Sequence, residues 1–165
     1  MKNNLGNRSL HLFFLLLSFL TLQAEDFTYT FKVDQPTPYV KEPVLLTLDL
    51  NQTNHDIVLL FNFHINKSED YTFQRLDIQK TENYHDAKIH YLYLIYPLKS
   101  GDINITFDLV KKVTTDESLA YSFSGDRDNV KKLMTTDTQI DLPPLQLRVK
   151  PLPEGTALVG DFTLT

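Results

Sequence analysis

The feature that most constrains the fold of this chain is a period-two alternation of apolar and polar residues that recurs after residue 24. Such alternation is typical of β-strands that have one face in a core and the other in water. Strongly alternating segments cover residues 27–33, 44–50, 57–65, 89–95, 103–109 and 145–149, and residues 71–79 carry a weaker version. The sequence therefore predicts six or seven short strands.

Turn-forming residues separate these segments. Three prolines between residues 36 and 43 exclude helix there and mark a turn between the first two strands. Residues 97–101, with the sequence PLKSG, predict a hairpin-like corner that leads into the strand at residues 103–109. No long helical pattern competes with the strands, although residues 124–134 fit a short helix capped by Asp126.

Several short strands with turns between them are the pattern of a β-sandwich. The chain has no cysteine and no tryptophan, so it lacks the disulfide and core tryptophan of antibody domains. We therefore predict an all-β, immunoglobulin-like β-sandwich over residues 25–150 with a core of Phe, Tyr, Leu and Ile. The side chains expected at its centre are Leu59, Phe61, Tyr91, Tyr93, Ile105 and Leu147.

The N-terminal segment has the pattern of a secretory leader. Lys2 and Arg8 precede or flank an uncharged apolar run at residues 10–22, which is too short for a comfortable bilayer crossing. Ala24 offers a small residue at the cleavage point. We therefore expect residues 1–24 to be a cleaved signal peptide and the mature protein to be periplasmic. A leader retained as an anchor is the alternative.

Composition excludes several classes of function. Removing Lys2 and Arg8 from the 16 basic residues leaves 14 against 21 acidic ones, so the mature chain carries a net charge of −7. Phosphate binding needs a basic surface, so nucleic acid is not an expected partner. The absence of cysteine excludes disulfides, thiolate nucleophiles and thiolate metal ligands, and stability must come from packing.

No residue pattern of a familiar catalytic site is present. The histidines after the leader are His55, His64, His85 and His90, and no two of them have the helical i, i+4 spacing of a zinc hydrolase motif. His64 and His90 fall on the polar faces of their predicted strands. The acidic run at residues 126–129 lacks the glycine and the terminal glutamate of a calcium loop. We therefore expect no enzyme, no cofactor and no metal site.

Two asparagines lie in the D-x-N-x-T pattern that some bacterial N-glycosylation systems accept. They are Asn51, in residues 49–53, and Asn104, in residues 102–106. Asn66 lies in a plain N-x-[ST] pattern without the acidic residue. Chance is the plainer explanation of both acidic patterns, because a strand-bound asparagine is a poor acceptor. Asn51, at a predicted strand end, is the better candidate.

Three short motifs follow one another along the mature chain. The first, YVKEPVLLTLDL, contains a turn at Lys41 and Pro43 before a strand, and the second, YPLKSGDINI, contains a corner between Pro97 and Gly101. In order and spacing the three resemble the BatD-type oxygen-tolerance family, in which a glycine is common at the position of Lys41. In the third, LRVKPLPEGTALVGDFTLT, the residues that match the family are Val149, Pro151, Leu152, Pro153, Val159, Gly160 and Phe162.

The resemblance implies a function as well as a fold. BatD-type proteins are exported, are built from immunoglobulin-like modules, and are encoded beside a MoxR-type ATPase and von Willebrand A-domain membrane proteins. A non-catalytic protein-interaction module that supports envelope integrity or stress tolerance, with these proteins as partners, is therefore implied. Family members are usually longer and end in a membrane helix. Membrane association is accordingly expected only through an uncleaved leader or a missing C-terminal region.

Residues 151–165 are expected to be a linker and the first strand of a truncated second module. Pro151 and Pro153 separate this segment from the closing strand of the first domain. The alternation over residues 157–165 predicts a strand with no partner in a single module. We therefore expect residues 154–165 to be dispensable for folding.

Two other classes of function stay open at the level of sequence. A carbohydrate-binding sandwich would need exposed aromatic residues as a stacking platform, for which Tyr71, Tyr84 and Tyr121 are candidates. Ordinary core or loop aromatics are the plainer interpretation of the same residues. An enzyme such as a metal-dependent hydrolase is disfavoured by the missing motifs. Binding to glycans and the metal content of the protein would separate these classes.

Overall fold

The structure is a computed structural model that describes residues 21–23, 26–81, 83–123 and 133–155. Within these ranges the chain is mostly β, with antiparallel strand pairs and almost no helix. The strands are β1 (Thr21–Gln23), β2 (Phe27–Val33), β3 (Val44–Gln52), β4 (Val58–Ile65), β5 (Tyr71–Lys80), β6 (Lys88–Pro97), β7 (Gly101–Ile105), β8 (Phe107–Thr114), β9 (Thr136–Ile140) and β10 (Leu145–Val149), and the helix is α1 (Asp116–Phe123).

In the described part of the chain the strands form three hydrogen-bonded sheets. A five-stranded sheet has the order β1–β2–β3–β6–β5, a three-stranded sheet has the order β4–β8–β9, and β10 pairs with β7. Consecutive strands often lie in different sheets, because the chain leaves the five-stranded sheet after β3, returns for β5 and β6, and leaves again after β6. The connecting loops therefore link one sheet to another.

A single cluster of buried apolar side chains draws residues from all three sheets. The alternating burial along β2, β3 and β6 follows the alternation of the sequence, with every second side chain in the core. All six side chains that were predicted to meet at the centre of the core belong to this cluster. The strand phases derived from the sequence are therefore confirmed.

Phe63 of β4 lies at the centre of an aromatic group that joins two sheets. Its ring centroid is 5.2 Å from that of Tyr91 and 6.0 Å from that of Tyr93, both on β6. It is also 6.3 Å from Phe31 of β2 and 5.7 Å from Phe107 of β8. Aromatic pairs at such separations add to the free energy gained by burying their area. One side chain thus contacts rings from both the five-stranded and the three-stranded sheets.

The single strand predicted over residues 103–109 is wrong, because the structure has two strands there with different partners. β7 ends at Ile105 and pairs with β10, whereas β8 begins at Phe107 and pairs with β4 and β9. Ile105 and Phe107 are both buried, so the alternation continues across the break. The pattern of the sequence therefore could not reveal the change of sheet at Thr106.

Side chains from a neighbouring loop and strand hold the break at Thr106. The backbone N–H of Asn66 donates to the Thr106 carbonyl at 3.0 Å, and the Asn66 Nδ2 donates to the Thr106 Oγ1 at 3.2 Å. The hydroxyl of Tyr71 donates to the Asn66 carbonyl at 2.8 Å and lies 3.5 Å from the Thr106 nitrogen. The backbone groups of Thr106, which the break excludes from a strand ladder, are thereby hydrogen-bonded.

Two further expectations about local structure are wrong. Residues 97–101 do not close a hairpin, because β6 and β7 belong to different sheets. Strand β9 was missed, since its sequence TDTQI is polar and almost entirely exposed. The helix α1 lies upstream of the segment predicted to be helical, of which residues 124–132 lie outside the described residues.

Strand β1 lies within the segment predicted to be a signal peptide. Thr21 pairs with Thr30, Leu22 with Tyr29 and Gln23 with Thr28, all antiparallel. The end of the predicted leader thus adds a strand to the edge of β2 in the full chain. Cleavage at Ala24 stays a prediction.

Truncating Phe63 to alanine should cost about 3–5 kcal/mol of unfolding free energy, because the cavity would separate rings of two sheets. Phe73 of β5 is the matched control, since it is half-buried at a sheet edge and its ring lies 6.3 Å from Tyr93. Phe73→Ala should cost about 1 kcal/mol. Urea unfolding of both variants measures the difference, and equal losses would contradict the central role of Phe63.

Candidate functional site

The three sequence motifs meet in space at a junction that we name the motif corner. The backbone N–H of Lys41 donates to the Pro97 carbonyl at 2.8 Å, which joins the first motif to the second. The N–H of Val40 donates to the Lys150 carbonyl at 3.0 Å, which joins the first to the third. The motif corner consists of Tyr39, Val40, Lys41, Glu42, Pro97, Gly101, Val149 and Lys150.

The second and third motifs are joined by the β7–β10 ladder. Gly101, the first residue of β7, is the register partner of Val149, the last residue of β10. Lys150 follows directly and forms an isolated parallel bridge with Tyr39. The first and third motifs, which are separated by more than half of the chain, are therefore connected by main-chain hydrogen bonds, which are insensitive to most side-chain changes.

Tyr39 closes the corner through both its backbone and its ring. Its N–H donates to the Glu42 Oε2 at 2.6 Å, while its carbonyl accepts from the Glu42 N–H at 3.0 Å. The Lys150 Nζ lies 4.6 Å from the centroid of the Tyr39 ring. A cation at this distance from an exposed aromatic face contributes about 0.5–1 kcal/mol. The corner is thus a tight turn packed against the end of β10.

Two residues of the corner have left-handed backbone conformations. Lys41 has a φ of 65° and Gly101 has a φ of 104°. An L-residue in this region is disfavoured by about 1–2 kcal/mol, whereas glycine adopts it without a steric cost. Lys41 therefore adopts a conformation that glycine would adopt at a lower steric cost.

The remaining motif residues lie at the edges of the corner. Pro43 is exposed directly before β3, and Pro97 is buried as the last residue of β6. After Lys150, Pro151 and Pro153 are exposed and Leu152 is half-buried. Val159, Gly160 and Phe162 lie outside the described residues, as does the strand predicted over residues 157–165.

The two asparagines in acidic patterns both lie inside strands. Asn51 is the penultimate residue of β3 and pairs with Thr28 on one side and Lys88 on the other. Asn104 is exposed on β7 and pairs with Gln146. Both positions are extended backbone held in a ladder, which is the setting that makes a poor acceptor. Glycosylation of these residues stays a prediction.

His85 bridges two loops and the start of α1. Its Nε2 lies 2.9 Å from the Asp116 Oδ1, and its Nδ1 lies 3.1 Å from the His55 carbonyl. Both neighbours are acceptors, so both ring nitrogens donate when the ring is protonated. The hydrogen bond to Asp116 raises the pKa of His85. The His55 Nδ1 in turn lies 2.6 Å from the His85 carbonyl and 4.0 Å from the Asp86 Oδ1.

A second polar group lies on the outer face of the five-stranded sheet. The His90 Nδ1 is 2.6 Å from the Asp49 Oδ1, and the Lys32 Nζ is 3.7 Å from the Asp49 Oδ2. The carboxylate of Asp49 is thus shared between side chains of the two neighbouring strands. His64 is exposed on β4, on the polar face that the sequence predicts. Solvated polar groups of this kind contribute little to stability.

A half-open recess of about 700 Å³ lies beside β4 and β6. Its wall is largely apolar and includes Leu59, Phe61 and Ile89, with Lys80 and Thr81 as polar neighbours. The Thr81 Oγ1 already donates to the Asp86 carbonyl at 2.9 Å. The recess has the volume of a ligand pocket but not the convergent polar groups that orient a small ligand.

The aromatic platform that a carbohydrate site would need does not form from the candidate tyrosines. Tyr71, a candidate for such a platform, is only 2% exposed and its hydroxyl is used at the Thr106 break, in keeping with the plainer interpretation as a core aromatic. Tyr84 is half-buried, and its carbonyl accepts a hydrogen bond from the Leu59 N–H. The side chain of Tyr121 lies outside the described part of the structure. Tyr71 therefore serves the core.

The polar groups described above link neighbouring strands and loops. Among the described residues, no group of three or more acidic or histidine side chains is placed to hold a metal ion. The same residues contain no helix that is long and apolar enough to span a membrane. Sequence reasoning missed the His85–Asp116 pair, because its members are 31 residues apart, one on a loop and the other at the start of α1, and no spacing rule signals such a pair.

Comparison with known proteins gives no relative from which to transfer a function. No protein-family model, curated protein or solved structure matches the chain. The motif corner and the sheet edges are therefore the features from which a function is proposed.

Replacing Lys41 by glycine should stabilise the protein by about 0.5–1 kcal/mol, because relief of the left-handed conformation exceeds the entropy lost by glycine. Gly101→Ala is the reciprocal control. A Cβ at Gly101 meets no atom within 4 Å, so its loss of about 1–2 kcal/mol would come from the backbone alone. Urea unfolding measures both, and a destabilised Lys41→Gly variant would contradict the conformation of Lys41.

The His85 bridge should make stability depend on pH. Because the pKa of His85 is raised in the folded state, its contribution is fully present below the unfolded value near 6.5 and is lost as pH rises through the folded value. The melting temperature of His85→Gln should therefore fall below that of the parent at acidic pH and approach it at alkaline pH. Exposed His64→Gln is the control, and a gap independent of pH would contradict the bridge.

Proposed function

We propose that this chain is an exported, non-catalytic protein-interaction module of the BatD oxygen-tolerance type, with an immunoglobulin-like β-sandwich fold. Its partners in this proposal are envelope proteins, in particular von Willebrand A-domain membrane proteins that act with a MoxR-type ATPase. Its role is to support envelope integrity or stress tolerance in the periplasm. The observation that carries the proposal is the motif corner, where the three family-like motifs are hydrogen-bonded to one another.

The strand order supports the immunoglobulin-like part of the proposal. Constant-type immunoglobulin domains place strands A, B, E and D in one sheet and strands C, F and G in the other. Here β2–β3–β6–β5 follows the order A–B–E–D, and β4–β8–β9 follows C–F–G. In this assignment β7 and β10 are the first part of strand F and the second part of strand G.

The segment before the first turn fits the same assignment. The N–H groups of Arg148 and Lys150 donate to the carbonyls of Pro36 at 3.1 Å and Pro38 at 2.7 Å. Residues 36–40 therefore run beside β10 and cover its outer edge. A first strand that pairs with B and then crosses to lie parallel to G closes the two sheets on one side.

The corner supports a modular protein because it fixes the direction in which the chain leaves the domain. Lys150 is held by the Pro38 carbonyl and by the ring of Tyr39 before Pro151 begins the linker. Proline restricts its own φ and the conformation of the residue before it. A linker that starts from an anchored residue and contains Pro151 and Pro153 sets the position of whatever follows it.

A non-catalytic role is supported by the way in which the polar groups are used. The imidazole of His85 is occupied on both nitrogens, and the carboxylate of Asp49 is shared by His90 and Lys32. A general base needs a nitrogen or oxygen that faces a reacting proton. These side chains instead connect one strand or loop to another, as expected of a scaffold that presents surfaces to partners.

The test is direct binding between the purified full chain and a soluble von Willebrand A domain from the same genome. Analytical ultracentrifugation should detect a complex of one chain with one A domain at micromolar concentrations, which is typical of small, reversible interfaces. A glycan array probed with the same protein addresses the carbohydrate-binding alternative. No complex at any accessible concentration, or specific glycan binding, would contradict the proposal.

A further inference from the structure

The outer edge of β2 has the properties of a strand-binding site. β2 pairs with β3 over seven positions on one side but with β1 over only three positions on the other. The Asp34 N–H donates to the Leu45 carbonyl at 3.2 Å, and alternate residues of an antiparallel strand face the same neighbour. The main-chain groups of residues 27, 29, 31 and 33 therefore point away from β3.

Two other edge strands of the described sheets, β5 and β10, carry protective features that β2 lacks. β5 has a register shift between Arg75 and Asp77 that interrupts its ladder, and residues 36–40 cover β10. β2 has the sequence FTYTFKV, with no proline, no register shift and Lys32 as its one charged residue. A long, regular and apolar edge of this kind readily pairs with another strand.

The start of β2 is held by contacts that do not involve β1. Asp26, directly before β2, accepts a hydrogen bond from the Lys111 Nζ at 2.5 Å and from the Asn54 Nδ2 at 3.0 Å. Its carbonyl also accepts from the N–H groups of Thr53 at 2.8 Å and Asn54 at 3.2 Å. The hydrogen bond from Lys111 lowers the pKa of Asp26, so the carboxylate is ionised under physiological conditions. The residue directly before β2 is thus hydrogen-bonded to β8 and to the residues that follow β3.

We propose that the outer edge of β2 binds an extended segment of a partner protein, which takes the antiparallel place that Thr21–Gln23 holds in this structure. The inference rests on the proposed function, because it names the surface through which the interaction module works. The occupant seen in the full chain belongs to the predicted leader, so export with cleavage at Ala24 would free the edge. Strand addition of this kind gives affinity through main-chain hydrogen bonds.

The register defines the chemistry of the partner segment. Directly opposed residues share a face of the sheet, so the positions opposite Phe27, Tyr29 and Phe31 lie on the buried face. The positions between them lie on the outer face, beside Thr28 and Thr30. The edge therefore fits a segment that alternates apolar and neutral polar residues, as Thr21–Gln23 does with Leu22 opposite Tyr29.

Because the chain contains no cysteine, an engineered disulfide can close the outer edge of β2 reversibly and so test the proposal. The pair Thr21 and Thr30 flanks the Leu22–Tyr29 pair, whose groups face each other, and so is a non-hydrogen-bonded pair. Cα atoms of such pairs are about 4.5 Å apart, within the range for a disulfide. The T21C/T30C double variant of the full chain, with its leader retained, therefore closes the edge when oxidised and opens it to exchange when reduced.

The probe is a fluorescein-labelled synthetic peptide with the sequence of residues 19–26, and binding is followed by fluorescence anisotropy. The reduced T21C/T30C variant should bind it, and oxidation should weaken binding by roughly tenfold or more, because the ladder position is filled. The control is N104C/Q146C, which locks a second non-hydrogen-bonded pair between β7 and β10. Oxidation of the control should leave binding unchanged.

Several outcomes would overturn the proposal. They are no binding to the reduced variant, equal binding to its two forms, and a species of twice the chain mass that disappears on locking, which would assign the edge to a second copy. The A-domain complex is measured on the same proteins. A complex unaffected by locking would leave the proposed function standing and remove the edge as its site, whereas peptide binding without a complex would support the edge and contradict the partner.

Discussion

The contact of aromatic rings around Phe63 is the interaction on which the rest of the structure depends. The chain has no disulfide to hold its sheets together, so the free energy of assembly comes from burying side chains such as Phe63, Phe31 and Phe107. These rings belong to β4 and β8 of the three-stranded sheet and to β2 of the five-stranded sheet. A shift of any one strand by one residue would turn its rings to solvent, so the same contact that joins the sheets also fixes their registers.

Because the registers of the strands are fixed, the place where the three motifs meet depends on the breaks between strands. The break at Thr106 sends β7 toward β10 while β8 stays beside β4, and residues 141–144 separate β9 from β10 in the same way. β7 then pairs with β10, while β8 pairs with β4 and β9. Within β7, Gly101 is the register partner of Val149, which is where the motif corner closes.

The sequence predicted most of the core and little of the connections, for a physical reason. Burial of one face of a strand requires an apolar residue at every second position, as at Tyr91 and Tyr93. The phase of such a strand can therefore be predicted from its own sequence. The exposed strand β9 has no such constraint and left no periodic signal. The pairing of Lys41 with Pro97 and of His85 with Asp116 depends on the path of loops, which no local pattern records. Tyr71 illustrates the limit, since the weak alternation over residues 71–79 gave no sign that its hydroxyl would bond at the Thr106 break.

The management of sheet edges connects this packing to function. Every sheet that does not close on itself ends in strands with unpaired main-chain groups, and natural proteins interrupt, charge or cover them. β5 is interrupted at its register shift and β10 is covered by residues 36–40, both by features within the domain. β2 is covered only by Thr21–Gln23 in the described part of the chain, and Asp26 anchors it independently of that strand. An edge that is regular, apolar and covered by a segment of the predicted leader is suited to exchange one strand for another, because exchange leaves the core around Phe63 untouched.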